Sequence, residues 1–227
     1  MGSAPIVEAI DLARSFVDGD SLVEAVRGIT FEVRQGDFIG LVGPSGCGKS
    51  TLLNMLGLIE TPTRGEVVFE GRSLAAADEE VLRRIRMARV GYVFQAFNLL
   101  STMNVLENVI LPCLLVGLTE QVATSRARSL LEDLKLSHRA NAMPATLSGG
   151  ELQRVAVVRA VAHQPAIILA DEPTGNLDSI AGEAVLDLLT SINKGGTPIV
   201  MATHSESAWR RCSRVIRMRD GAVVSDD

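Results

Sequence analysis

Cysteine is scarce in this chain, and the spacing of the few present gives no sign of a cross-linked framework. Three cysteines occur in 227 residues, at Cys47, Cys113 and Cys212. An odd number of widely separated thiols is typical neither of a disulfide scaffold nor of a structural zinc site. We therefore expect reduced thiols, as in a cytoplasmic protein.

The chain also lacks a long hydrophobic run. Its longest apolar stretch, VILPCLLVGL at 109–118, contains Pro112 and is too short for a bilayer, which takes about 20 residues. The opening residues have no basic start followed by an apolar segment, so we expect no secretory signal. These absences predict a chain that is soluble by itself.

An excess of positive charge is missing as well. There are 22 Lys and Arg against 27 Asp and Glu, for a formal net charge of −5, which argues against a general nucleic-acid binder. Apolar residues make up 47%, so a disordered chain is excluded. The length suits one large α/β domain, or a core with an inserted subdomain.

Hydrophobic periodicity divides the chain into a β/α core and a helical insertion. Strand-like segments occupy much of residues 1–95, including FIGLVG at 38–43 and GEVVFEGRSL at 65–74. A charged helix is predicted at 78–88, with i,i+4 pairs Glu79–Arg83 and Glu80–Arg84. We interpret its arginines as a solvated face. Residues 96–159 look mostly helical, and 160–227 return to the β/α pattern, with a final hairpin at Asp220-Gly221.

A phosphate-binding loop is the strongest local pattern. GPSGCGKST fits G-x-x-x-x-G-K-[ST] and lies between a predicted strand and helix. Its glycines let backbone amides turn toward phosphates, Lys49 supplies positive charge, and Ser50 offers a hydroxyl ligand to Mg²⁺. Cys47 is interpreted as a small filler. The nucleotide-binding residues predicted here are Gly43, Pro44, Ser45, Gly46, Cys47, Gly48, Lys49, Ser50 and Thr51.

Two adjacent carboxylates end a buried strand in IILADE. Asp171 is predicted to hold Mg²⁺ and Glu172 to polarise an attacking water. The alternative is that the two carboxylates only cap the strand end at the surface. The presence of a phosphate-binding loop in the same chain argues against this alternative.

Two further polar residues follow apolar strands. His204 comes after PIVMAT and can donate to a γ-phosphate, although a lone histidine is usually structural. Gln95 ends VGYVFQ, where its amide can reach Mg²⁺ or water and transmit nucleotide state to the insertion. The predicted catalytic set is therefore Glu172, His204, Gln95 and Lys49, with Ser50, Gln95 and Asp171 at the metal.

A second helix start suited to anions occurs in LSGGE. Gly149 and Gly150 permit close backbone approach, and the following helix directs its positive end outward. Ser148 and Glu151 also fit a capping box, a purely structural role that is compatible with anion binding.

The motifs GPSGCGKST, VFQ, LSGGE, IILADEP, GNLD and THS, in this order along the whole chain, resemble the ATP-binding-cassette (ABC) transporter family. The resemblance implies an α/β P-loop NTPase cassette of the ABC type: a mixed β core, a helical subdomain over 96–159 and an N-terminal antiparallel β subdomain, together forming one domain over 1–227. It also implies ATP and Mg²⁺ as ligands and a head-to-tail dimer. In that dimer Ser148, Gly149 and Gly150 would contact the partner's nucleotide, with Asp178 at the seam. Phe16 matches the aromatic that stacks on adenine; a packing role is the alternative.

FNLL, VLENVILP and ADEPTGNLDS resemble the lipoprotein-releasing and macrolide-exporter cassettes (LolD/MacB type) and the related cell-division cassette. This implies a membrane permease as partner and a peripheral place on the cytoplasmic face of the cell membrane. Leu152, Ser205 and Arg64 depart from the usual pattern, away from the phosphate chemistry. The candidates for a permease groove are Phe97, Leu99, Leu100, Met103 and Leu106, with simple core packing as the alternative.

Three functions remain open from the sequence. The first is a transporter ATPase. The second is an ABC ATPase of DNA repair, chromosomes or ribosomes, which the acidic charge and the lack of coiled coils or a second cassette disfavour. The third is a division-type ATPase that signals through a permease-like partner without transport.

Overall fold

Strands and helices alternate along the chain in a computed structural model that describes residues 4–19 and 21–227. Within those residues ten strands form two sheets, and seven α-helices accompany them. The first three residues, part of the segment expected to carry no secretory signal, lie outside the described residues. The strands are β1 (Val7–Asp18), β2 (Ser21–Val33), β3 (Phe38–Val42), β4 (Arg64–Phe69), β5 (Arg72–Ser73), β6 (Val90–Val93), β7 (Ile167–Asp171), β8 (Ile199–Thr203), β9 (Arg214–Arg219) and β10 (Ala222–Asp226). The helices are α1 (Lys49–Leu56), α2 (Glu79–Arg89), α3 (Val105–Leu115), α4 (Glu120–Asp133), α5 (Gly149–Val161), α6 (Ser179–Lys194) and α7 (Glu206–Trp209).

The N-terminal half builds an antiparallel sheet in the order β2-β1-β4-β5. The long β1 pairs with both β2 and β4. Val7, Ala9 and Leu12 of β1 are buried in the core, with a break in the alternation at Asp11, whose φ is 49°. The single strand predicted at 65–74 is wrong, because the chain turns at Glu70 and Gly71, which have φ of 48° and 76°. That left-handed pair separates β4 from β5.

The second sheet has the order β10-β9-β3-β8-β7-β6, with parallel pairing from β9 through β6. Strands β3, β7 and β8 are apolar runs buried almost throughout, as expected for parallel strands covered on both faces. Parallel strands end at one edge of a sheet. The segments after β3, β6, β7 and β8 therefore meet there, and these segments carry the phosphate-binding loop, Gln95, Glu172 and His204.

Helices α3, α4 and α5 pack together around a separate apolar cluster that includes Val109, Leu131 and Val155. Helix α5 also contributes Val157 and Ala160 to the cluster formed with α6 and the parallel sheet. This helix therefore belongs to both packing units and joins the helical region to the sheet.

The ion pairs of α2 differ partly from the prediction. Glu80 contacts Arg84 as expected, but it also contacts Arg83, while Glu79 reaches Arg86. The predicted Glu79–Arg83 pair is wrong because Arg83 bonds the carboxylate three residues away through two nitrogens. The helix has no buried residue, consistent with a solvated face.

Candidate functional site

The loop between β3 and α1 folds around its own glycines. Gly46 and Gly48 adopt φ of 79° and 97°, which L side chains rarely adopt. A Cβ at Gly48 would lie 2.1 Å from the carbonyl oxygen of Ala25, and one at Gly43 would lie 2.2 Å from that of Met218. The backbones of β2 and β9 thus lie so close to the loop that a side chain at Gly48 or Gly43 would clash with them.

Lys49, the first residue of α1, is 6% exposed. Its Nζ donates to the carbonyl oxygens of Gly43 at 2.8 Å and Pro44 at 3.0 Å. The ammonium is thereby folded back across the loop. A buried positive charge whose hydrogen bonds go to neutral carbonyls is well placed to accept a phosphate as its counterion.

Ser50 and Asp171 meet across the sheet edge. The Ser50 hydroxyl donates to Oδ1 of Asp171 at 3.0 Å. Burial and the charge of Glu172 raise the pKa of Asp171, while the Ser50 hydrogen bond and Lys49 act in the opposite sense. A hydroxyl and a carboxylate oxygen are the ligand types that Mg²⁺ takes beside phosphates, so this pair fits that ion.

Glu172 lies at the turn after β7 with φ of 44°. Its side chain is 15% exposed, and its Oε1 is 2.9 Å from Nδ1 of His204, whose side chain is 68% exposed. The left-handed turn redirects the carboxylate out of the alternating pattern of the strand. The adjacent Asp171 and Glu172 can then face the same region.

A pocket of about 500 Å³ is lined by nine of the eighteen residues predicted for the site. Its walls combine loop amides, a cation, hydroxyls and carboxylate, which suits a polyphosphate. The lining residues are Ala25, Ser45, Gly46, Gly48, Lys49, Ser50, Thr51, Gln95, Glu172 and His204.

The other predicted residues lie outside the lining of this pocket. They are Phe16, Gly43, Pro44, Cys47, Ser148, Gly149, Gly150, Asp171 and Asp178. Cys47, within the loop, is buried. Phe16 is 38% exposed, and the guanidinium of Arg14 lies 4.8 Å from its ring centroid. Its assignment as the adenine platform stays a prediction.

Ser148, Gly149 and Gly150 line a second pocket, of about 600 Å³, together with Asp178. The capping box forms: Glu151 Oε2 accepts from the Ser148 backbone amide at 2.9 Å and from its hydroxyl at 2.8 Å. In return the Glu151 backbone amide donates to the Ser148 hydroxyl oxygen at 3.4 Å, and Arg139 donates to Glu151 Oε1 at 2.7 Å. The Ser148 hydrogen bonds lower the pKa of Glu151 to about 2. A Cβ at Gly150 would lie 2.7 Å from Cβ of Ala181 in α6. The start of α5 is therefore packed closely against α6, and the two pockets share no lining residue.

Known proteins match this architecture. The family model described as ABC transporter covers residues 26–175. The chain belongs to the ABC transporter family. It is 42% identical over 96% of its length to an uncharacterized ABC transporter ATP-binding protein of Methanocaldococcus jannaschii, of which 98% is covered. It is 41% identical, over 100% of its length, to the macrolide export ATP-binding/permease protein MacB of Brucella melitensis, of which it spans 35%.

A solved structure gives the same result. The dimeric cassette MJ0796 in a post-hydrolysis state bound to ADP and Pi has a TM-score of 0.90 and 36% identity, with 97% of each chain covered. The chain is thus an ATP-binding, ATP-hydrolysing cassette of a transporter with the predicted ABC-type fold. Within residues 4–19 and 21–227, no helix combines the length and apolarity needed to cross a membrane.

The predicted groove residues of the cassette divide into two groups. Leu99 and Leu106 pack against the core of α3–α5, as the alternative interpretation had it. Leu100 is 42% exposed, and Phe97 and Met103 are half-buried. The permease groove stays a prediction.

Two residues at the cassette's candidate site were not predicted from the sequence. Ala25 lines the first pocket from β2, and a small apolar strand residue gives no signal of this. Asn176 lines the second pocket and contacts Gln95. Asn176 donates to the carbonyl oxygen of Gln95 at 3.0 Å and accepts from its side chain at 3.4 Å. Its place in GNLD, beside the predicted Asp178, was the available clue.

Proposed function

We propose that two copies of this cassette bind ATP between them, head to tail, and that closing and reopening of this dimer drives a membrane permease. The observation that carries the proposal is the presence of two anion-suited pockets on one chain with different linings. One has the cation and the carboxylate proposed for hydrolysis, while the other offers a helix N-terminus and glycines. Each fits as half of a composite site.

In the cis half, Lys49 and the amides of the phosphate-binding loop hold the phosphates. Ser50, Asp171 and Gln95 would hold Mg²⁺, which supplies charge neutralisation between the phosphates when bound. Glu172 takes a proton from the attacking water, and His204 orients Glu172 through the 2.9 Å contact. ATP and water then give ADP and phosphate.

In the trans half, Ser148, Gly149 and Gly150 present the N-terminus of α5 to the partner's γ-phosphate, where its positive dipole end favours an anion. Asp178 caps α6 by accepting from the Ala181 amide at 2.8 Å. It lines the same pocket as Gly150, which supports its placement at the seam between copies.

The partner is proposed to be an integral membrane permease, with the cassette peripheral at the cytoplasmic face of the cell membrane. The likeness to MacB, whose name includes a permease, supports an exporter or a lipoprotein-type force-transmitting system. Residues 96–159 are proposed as the subdomain that contacts the permease, since Leu100 and Leu115 are exposed there.

The test is to trap the dimer with ATP in the Glu172→Gln variant and to identify what co-purifies from source membranes. A polytopic permease with a large extracytoplasmic domain supports the proposal. A permease-like partner without any translocated substrate would indicate the division-signalling role. Recovery of ribosomes or DNA without a membrane protein would overturn the transport assignment.

A further inference from the structure

The loop that carries Gln95 is fastened at both ends to helix α5. Before Gln95, the carbonyl oxygen of Phe94 accepts from Nε2 of Gln153 at 3.2 Å. After it, the guanidinium of Arg159 donates to the carbonyl oxygens of Phe97, at 3.0 Å, and Asn98. Gln95 and its neighbour therefore lie between backbone groups held by one helix.

The fastened loop is otherwise an unfavourable conformation. Phe97 and Asn98 have φ of 63° and 50°, a left-handed region that asparagine tolerates but that costs a residue such as Phe97 about 1–2 kcal/mol. The Arg159 hydrogen bonds stabilise this conformation, because its two terminal nitrogens donate to the two successive carbonyl oxygens. The loop thus keeps a conformation that Phe97 does not favour.

The charged side chain of Arg159 is partly buried, which costs desolvation free energy. Burial lowers its pKa, and within residues 4–19 and 21–227 it makes no carboxylate ion pair. Gln153 is fully buried, and its Oε1 has no partner in that part of the chain. Well-packed apolar side chains at such buried sites often give equal or greater stability. This suggests that Gln153 and Arg159 serve to position the loop rather than to stabilise the fold.

Helix α5 packs closely against β6, the strand that precedes the loop. A Cβ at Gly91 of β6 would lie 2.3 Å from the carbonyl oxygen of Ala160. At the other end, the Phe97 ring lies 3.9 Å from the Cβ position of Gly149. The loop therefore approaches the start of α5 through Phe97 and is bonded to the helix through Gln153 and Arg159.

We propose that Gln153 and Arg159 are positioning residues that hold Gln95 in a fixed relation to the Ser148–Gly150 turn. This inference rests on the proposed function, in which Gln95 meets the cis nucleotide and the turn meets the nucleotide of the partner. Because α5 also packs against β6 and α6, one helix then sets both contacts.

The test is a double-mutant cycle on steady-state ATPase activity. Arg159→Met alone is expected to lower kcat roughly 10- to 100-fold, because a reacting group loses its alignment, with the KM for ATP changed less than the kcat. Water can reach the exposed Asn98 carbonyl, so the variant should fold. In a Gln95→Ala background the same substitution should change kcat less than about twofold, because the residue it acts through is gone.

Arg126→Met is the matched control. Arg126 also donates to a carbonyl near the end of α5, that of Ala162 at 3.3 Å, without reaching residues 94–98. Its removal should leave kcat within about twofold. Gln153→Met is the second variant, with the same expected lack of additivity against Gln95→Ala, should Arg159→Met fold poorly.

The inference is overturned if kcat is unchanged in both Arg159→Met and Gln153→Met, or if the effects of these substitutions multiply with that of Gln95→Ala. It is also overturned if Gln95→Ala alone has no effect on kcat. Dimer formation by Glu172→Gln with ATP is measured separately. If no dimer forms but the effects on kcat remain non-additive, the head-to-tail proposal is overturned. The positioning of Gln95 by Gln153 and Arg159 is then still supported.

Discussion

Nδ1 of His204 and Oε1 of Glu172 lie 2.9 Å apart, although the two residues follow different strands and are 32 positions apart in sequence. The carboxylate is mostly enclosed, while the imidazole is mostly exposed at 68%. An enclosed acceptor held by an exposed ring has a fixed direction and still faces the pocket. This arrangement makes Glu172 the better candidate for proton transfer and His204 for its orientation.

Glu172→Gln should bind ATP and barely hydrolyse it. The amide keeps the shape of the side chain but cannot take a proton, so we expect kcat to fall about 10²- to 10⁴-fold. Affinity for ATP should change little, because Lys49 and the loop are untouched. Phosphate release and equilibrium binding of a fluorescent ATP analogue measure the two quantities.

A nearby carboxylate provides the control for that experiment. Glu206, in α7, pairs with Arg210 four residues on, and its side chain is 66% exposed. Glu206→Gln should leave kcat nearly unchanged. Full turnover by Glu172→Gln would remove Glu172 from the proposed chemistry.

Ser50→Ala should raise the Mg²⁺ concentration needed for half-maximal ATPase activity. The hydroxyl lies 3.0 Å from Oδ1 of Asp171 and is proposed as a metal ligand. By comparison with other ligand-shell changes, we expect an increase of roughly 10- to 100-fold. Titration of activity with Mg²⁺ at saturating ATP measures it. Ser179→Ala, in the second pocket, is the control, and an unaltered Mg²⁺ requirement in Ser50→Ala would contradict the assignment.

The sequence allows the placement of several candidate residues at one sheet edge to be predicted. The phosphate-binding loop, Glu172 and His204 each follow a buried parallel strand, and such strands end at one edge. Their proximity could therefore be anticipated from the strand order along the chain, while their roles stay predictions. The capping box of Ser148 and Glu151 was likewise readable, because its spacing is fixed by one helical turn.

Specific side-chain contacts and unusual turns could not be predicted from the sequence in the same way. Ion pairing on α2 depended on which rotamer Arg83 adopts, and several pairings satisfy the same spacing. The turn at Glu70 required a non-glycine residue in a left-handed conformation, against its preference. The reach of Arg159 to Phe97 spans 62 positions, and no local period encodes it.

Glu151→Gln should destabilise the chain at neutral pH and change how its stability depends on acid. Hydrogen bonds from Ser148, followed by Arg139, lower the pKa of Glu151 to about 2 in the folded chain, against about 4.3 in an unfolded one. Stability from the carboxylate is therefore complete above about pH 4.3 and is lost as pH falls toward 2. Urea unfolding at pH 7, 5 and 3 should show the difference between native and variant proteins shrinking at the lowest pH.

The second capping box supplies a matched comparison. Glu107 bonds the Asn104 amide as Glu151 bonds that of Ser148, whereas Glu151 also holds Arg139 at 2.7 Å. Because only Glu151 also holds an arginine, Glu151→Gln should cost more stability at pH 7 than Glu107→Gln. A stability difference that grows on acidification would contradict the assigned role of the Glu151 carboxylate.

Gly48→Ala and Gly46→Ala should separate backbone strain from lack of space in the phosphate-binding loop. Both glycines have positive φ, but a Cβ at Gly46 meets nothing within 4 Å, whereas one at Gly48 would lie 2.1 Å from the Ala25 carbonyl oxygen. Strain alone costs about 1–2 kcal/mol, or roughly 2–8 °C in Tm for a chain of this size. Gly46→Ala should show that loss in the absence of nucleotide, and Gly48→Ala a further 1–3 kcal/mol or so from overpacking. Equal Tm values for the two variants would mean that β2 yields to the added methyl group, and that the loop is shaped by its own backbone rather than by the strand beneath it.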